Sequence, residues 1–369
     1  MKCFAIFCVL WFHAIEVLND ANTVPTSLHF FPRDPVHIFI VTFNMPLFFM
    51  ISGFFFSSSL KLSFKEVLWK RFLVLIIPHI AWIIILALAD WAMPIVGWGR
   101  ATGRPFSILG QLEAFFKPDP RTDLWFFKDL FITDLIIFAS CKIFKKLPVA
   151  FIASMLFVLL FDCFGVVGKV QRFMLPIFWT GILLKTHYHV FTKHLNKLLI
   201  GFGILFAVSV YLYDFTYMIY RSDFPPIINF QQSFAEGKVI FNFTDIDKSG
   251  FRLLAGVAGS LFFFALFQRI WKKNVVTTFL SRCGQLTVAI YGLQAILLQR
   301  VMVNILDFSG INMWLYWVII TPIAAAFTFF ACVLLTRLIQ KNKPLSFMLF
   351  GSSLVANRPA VRNKKFSSN

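Results

Sequence analysis

The residues best suited to chemistry stand at the start of the chain: Lys2, His13 and Glu16, on what reads as one apolar helix. At about 1.5 Å and 100° per residue, the eleven steps from Lys2 to His13 cover roughly 16 Å along the axis and only about 20° around it. One face then carries a cation near the membrane boundary and an imidazole near mid-membrane. Ionisable groups at that depth are costly and usually line a polar cavity or pathway rather than face lipid. Glu16 follows His13 by three residues, so the two share a helix face. A carboxylate beside an imidazole holds one tautomer and raises its basicity, which suits a general base acting on a hydroxyl. The plainer alternative for His13 is a satisfied packing histidine. For Glu16 it is a place at the outer water interface, beside Asn19 and Asp20.

The elements that must position these residues are membrane helices. With 59% hydrophobic and 14% charged residues among 369, the chain is an integral membrane protein, because soluble domains carry about 25% charged residues. Its 50 phenylalanines serve as apolar filler. The cysteines fall in or beside apolar segments without a C-x-x-C pair, so neither a disulfide framework nor a thiolate metal site is indicated. Apolar segments at 3–18, 37–58, 69–93, 124–141, 147–162, 173–186, 197–213, 251–268, 279–299 and 313–336 make ten candidate spans. With the N-terminus inside, one set of loops and the tail hold 22 of the 35 basic residues against a single acid, Glu66. The positive-inside rule then places both termini in the cytoplasm. The net charge of +18 is therefore a topology signal and does not call for a nucleic-acid partner.

The expected fold is all-α and integral to the membrane, with about ten transmembrane helices. One membrane domain spans 1–338, and 339–369 is a basic, disordered cytoplasmic tail. No internal repeat is visible. Lys2 followed by Cys3–Phe12 also has the look of a secretory signal, but a small-x-small cleavage site is missing.

Other residues invite a reading. Pro46 removes a backbone donor in mid-segment, and Ser52-Gly53 offers a small, polar point of close approach. Carbonyls freed in such a broken helix are tolerated only where protein or a wet cavity satisfies them. Lys128, Asp129 and Asp134 are intramembrane charges. His187, His189 and His194 lack a nearby Cys or acid and read as solvated loop histidines rather than a metal cluster. No metal is expected.

Lys2-x10-His13 resembles the Arg/Lys-x10-His signature of the acyltransferase-3 family, integral-membrane O-acyltransferases of bacterial surface glycans. The run Met45-Pro46-Leu47-Phe48-Phe49-Met50-Ile51-Ser52-Gly53-Phe54 is similar to that family's second-helix motif. Lys70-Arg71 with Ile77-Pro78 resembles its basic entry to the third helix, and Leu124-Trp125-Phe126-Phe127 the opening of the fourth. Leu175–Gly181 and Ile290-Tyr291-Gly292-Leu293-Gln294 match weaker patterns, so the resemblance runs from Lys2 to about Arg337. Two departures stand out. His79 follows Pro78 where Tyr is common, and Gln294 stands where many members have a second His, which argues against a two-histidine mechanism.

The resemblance implies transfer of an acyl group, usually acetyl, from acetyl-coenzyme A on the cytoplasmic side to a sugar hydroxyl. Lys70 and Arg71 would bind the coenzyme A phosphates, Arg by bidentate contacts. His13 would take the acceptor proton, with Glu16 and Lys2 completing the catalytic set, or would form a transient acyl-His. Ser52 and Trp125 would shape the substrate pocket. The implied setting is a multi-pass protein of the bacterial inner membrane, with the bilayer, a carbohydrate acceptor and glycan-assembly enzymes as partners. A transporter or flippase of a lipid-linked glycan is the rival from another class. An inactive relative serving in assembly is a third.

Overall fold

The computed structural model describes residues 1–20, 35–95, 97–98, 124–160, 168–213, 227–228, 230–244, 246–306, 308 and 311–351. Among these the chain is helical, and its one extended pairing is an isolated bridge between Ile228 and Phe241. The helices are α1 (Lys2–Asp20), α2 (Pro35–Phe56), α3 (Phe64–Arg71), α4 (Ile77–Ile95), α5 (Trp125–Ile143), α6 (Leu147–Leu160) and α7 (Gly168–Thr186). There follow α8 (Tyr188–Lys193), α9 (Leu195–Tyr211), α10 (Phe230–Glu236), α11 (Ile246–Ile270), α12 (Val275–Cys283), α13 (Thr287–Ile305), α14 (Met313–Ile339) and α15 (Lys343–Phe350).

Five helical stretches are long and apolar enough to cross a membrane: Pro35–Lys61, Phe64–Met93, Ile246–Ile270, Thr287–Ile305 and Met313–Ile339. α6 and α9 are shorter apolar helices. The expected span 279–299 is divided, because a turn at Gly284–Leu286 separates α12 from α13. In α5 and α7 the polar residues Lys128, Asp129, Asp134 and Arg172 are buried against neighbouring helices.

α1 and α2 form the centre. α1 packs on α2, α13 and α14, while α2 packs on α7 and α11. α2 is apolar on every side, as a helix with neighbours all round must be. Its contact with α7 is backbone to backbone: a Cβ at Gly53 would collide with the Phe178 carbonyl, and one at Gly181 with that of Met50. The close approach expected at Ser52-Gly53 is present.

Pro46 interrupts the hydrogen-bond ladder of α2 at a point where two carbonyls receive a side-chain donor. Its missing N–H would have served the Thr42 carbonyl. Arg252 of α11 donates there instead, Nη1 to Thr42 O at 2.7 Å and Nη2 to Val41 O at 2.6 Å. The Met45 N–H donates to Asn44 Oδ1 at 2.7 Å. Two other prolines, Pro78 and Pro322, are each preceded by a wide π-turn, at Phe72–Ile76 and Tyr316–Ile320. Shifting the ladder by one residue lets the chain meet a proline without a bare carbonyl.

The tail departs from expectation. Residues 343–350 form α15, capped by Asn342, whose Oδ1 accepts from Leu345 N at 3.1 Å. α15 packs on α4 and α13, burying Leu349 and Phe350. Trp82 Nε1 donates to Leu349 O at 2.9 Å. The chain leaves α15 through Gly351 at φ 73°, pressed against the backbone of Leu73 and Val74, where a side chain would be strained and crowded. The apolar run Leu345–Phe350 thus belongs to the bundle, and a disordered tail beginning at 339 is corrected; residues 352–369 lie outside the described residues.

Candidate active site

Glu16 lies between two imidazoles. Its Oε2 is 3.6 Å from His13 Nδ1, and its Oε1 is 3.5 Å from His37 Nε2 on α2. His13 and Glu16 each keep 20% side-chain exposure, whereas His37 is sealed at 0%. The His37 ring stacks on Phe12, with centroids 4.8 Å apart and planes at 20°. α14 holds the stretch of α1 that bears His13: Trp11 Nε1 donates to Thr321 Oγ1 at 3.0 Å, and the Tyr316 hydroxyl faces the Ile15 carbonyl at 3.0 Å.

Below this level lies an inner cavity of about 140 Å³. Lys2, Ile6 and Val9 line it from α1, and Met45, Phe48 and Ser52 from α2. These are helical stripes of three- and four-residue steps. The α1 stripe continues from Val9 to His13, one turn or about 6 Å further along. The α2 stripe reaches His37, eleven residues from Phe48, with the same offset of about 20° that relates Lys2 to His13. Phe126, Phe127 and Tyr291 close the upper wall; Phe126 and Tyr291 meet edge to face at 5.7 Å.

Toward the Lys2 end the inner cavity shares the wall residues Lys2, Val74, Thr287 and Val288 with a vestibule of about 1180 Å³. Lys2, Arg282 and Arg337, from α1, α12 and α14, put three cations on its wall, and among the described residues no carboxylate lines it. Gln268, Gln285 and Gln340 add amides, and Trp271 an exposed ring.

A family model described as an acyltransferase domain, that of the acyltransferase-3 family, matches residues 1–337. The chain belongs to this family. Neither the curated proteins nor the solved structures compared gave a match. In acyltransferase-3 terms the second-helix motif is the stretch that carries Pro46, the cavity residues Met45, Phe48 and Ser52, and the Gly53 contact. The Leu124–Phe127 motif supplies the cavity's aromatic wall.

The residues singled out from sequence differ in where the fold puts them. His13 and Glu16 meet as their spacing implied. Lys2 is at the junction of the two cavities, with Nζ 5.4 Å from the centre of the Phe55 ring, far from His13 along α1. Ser52 lines the inner cavity and donates its hydroxyl to Phe48 O at 2.9 Å. Trp125 is buried behind this wall, 6.4 Å from Phe126 ring to ring, and is not in the lining.

The basic pair separates. Arg71 lines the inner cavity but its Nε is 2.9 Å from Asp134 Oδ2, a carboxylate on α5 with 1% exposure. Lys70 is exposed on α3 and lines neither cavity. Sequence reasoning missed His37, Arg282 and Arg337. His37 stands on α2 eleven residues from Phe48, a relation that gains meaning only once Phe48 is known to line the cavity. The arginines come together only through the packing of α12 and α14 around α1.

Proposed function

We propose that the protein is a membrane O-acyltransferase that moves an acyl group, most simply acetyl, from coenzyme A to a hydroxyl of a surface or lipid-linked carbohydrate. One observation carries this reading: a vestibule with three cations, unpaired among the described residues, shares a wall with a cavity whose α1 stripe of lining residues stops one helical turn short of His13. With the Lys2 end in the cytoplasm of a bacterial inner membrane, the donor enters from the basic side. Its phosphates are held by Arg282, Arg337 and Lys2, charge-assisted contacts that Lys70 is not placed to make. The acyl-bearing arm then occupies the inner cavity.

The chemistry follows from the two ends. Glu16 engages His13 Nδ1, which leaves Nε2 as the basic nitrogen. That nitrogen takes the proton of the acceptor hydroxyl as its oxygen attacks the thioester carbonyl. The carbon–sulfur bond breaks, and the imidazolium returns the proton to the departing thiolate. Full-length protein in lipid nanodiscs should release thiol from acetyl-coenzyme A, with water in place of the acceptor hydroxyl taking the acetyl group as acetate. His13→Ala should slow this by about 10²–10⁴-fold, the usual worth of a positioned general base. Unchanged release in a folded variant would remove His13 from the mechanism.

A further inference from the structure

We infer that His37 is a positioning residue: it holds the far oxygen of Glu16 so that the near oxygen fixes the His13 ring. This rests on the reading of His13 as the base. The oxygens of Glu16 are divided between the rings, Oε2 toward His13 Nδ1 and Oε1 toward His37 Nε2. A carboxylate at the end of a two-carbon stem, with 20% exposure, has rotamers that would carry it away from His13. A second imidazole nitrogen 3.5 Å from Oε1 favours the rotamer that keeps Oε2 beside His13.

His37 is itself immobilised. It is fully buried, and its ring is stacked on Phe12, the residue beside His13 in the same helix. One rigid unit therefore links α1 to α2 through Phe12, His37 and Glu16. The two histidines differ in access rather than in kind. The His13 ring keeps 20% exposure, whereas the sealed His37 ring can only orient. Nε2 of His37 faces Oε1 at 3.5 Å and Nδ1 of His13 faces Oε2 at 3.6 Å, contacts longer than a hydrogen bond, and a proton on each of these nitrogens leaves His13 Nε2 as the unprotonated one. No proton needs to leave His37 during the reaction. A site with two imidazoles and one base is thus compatible with Gln294, which stands on α13 where many relatives carry their second histidine.

Gln is the informative replacement at position 37, since its side-chain nitrogen falls near the place of imidazole Nε2 and keeps a donor toward Oε1. Two readouts on the full chain in nanodiscs separate orientation from mere packing. With ¹⁵N-histidine, the His13 ring should show one tautomer, protonated at Nδ1, in the wild type and in His37→Gln, and a mixture in His37→Ala. With acetyl-coenzyme A as probe, His37→Ala should lower the maximal rate of thiol release about ten-fold or more. The half-saturating concentration should stay the same, and His37→Gln should recover most of the rate. A single His13 tautomer in folded His37→Ala, or a Gln variant as slow as Ala, would overturn the inference. His13→Ala serves as the control: if it leaves thiol release intact, the reading of His13 as base fails, whatever position 37 does.

Discussion

The two ends of the cavity system treat charge in opposite ways. In the vestibule Lys2, Arg282 and Arg337 make no ion pair among the described residues. Deeper in the bundle, charged groups are matched one by one. Arg300 forks onto Asp90, with Nη2 3.0 Å from Oδ2, and gives Nη1 to Ala295 O at 2.7 Å. Arg71 meets Asp134, Asp129 accepts from Gln171 Nε2 at 2.9 Å, and Arg252 is spent on backbone carbonyls. Burying a charge is tolerable only when its partners are in place. Cations left without a protein partner at a cavity mouth are therefore the ones available to an anionic ligand. Basic residues in a membrane protein are best sorted by this criterion rather than by their density in the sequence.

The largest effect is expected at the matched end. Asp90→Ala strands the Arg300 guanidinium, which is 2% exposed, and should cost about 3–5 kcal/mol. Thermal unfolding in detergent would read this as a large fall in midpoint, and an apolar residue at position 300 as well should recover part of it. Full stability of the single variant would show that the pair carries nothing. At the open end, Arg282→Ala with Arg337→Ala should leave folding intact and weaken coenzyme A binding about ten-fold or more, as loss of charge-assisted contacts does. The remaining affinity should depend less steeply on salt. Wild-type affinity in that double variant would return the vestibule to a topology signal. The smallest effect sharpens the contrast: Lys70→Ala should change coenzyme A affinity by less than about twofold, because an exposed charge off the binding surface is screened. A loss as large as that of the arginine pair would mean that the donor lies along α3.

What could be read from the sequence follows from how local each feature is. His13 and Glu16 meet because three residues on a helix are neighbours, and Lys2 shares their stripe for the same reason. Ser52-Gly53 announced a close approach because only a missing Cβ permits one. His37 was present in the sequence as the first residue of an apolar segment, yet its partner is on another helix, and proximity between helices is not written in spacing. Arg282 and Arg337 are 55 positions apart and converge only through packing. The tail misled for the opposite reason. Its basic residues suggested a surface strand of no fixed form, while the apolar Leu345–Phe350 among them was enough to dock a helix.

The break at Pro46 has a consequence for assembly. Until Arg252 has been made, the carbonyls of Val41 and Thr42 lack the guanidinium that serves them, and in a hydrocarbon setting an unserved carbonyl costs several kcal/mol. Some two hundred residues of synthesis separate the break from its remedy. The segment at 35–56 therefore reaches its final shape late, when α11 arrives beside it, and chains ending short of residue 252 should be prey to quality-control proteases however sound their earlier helices are.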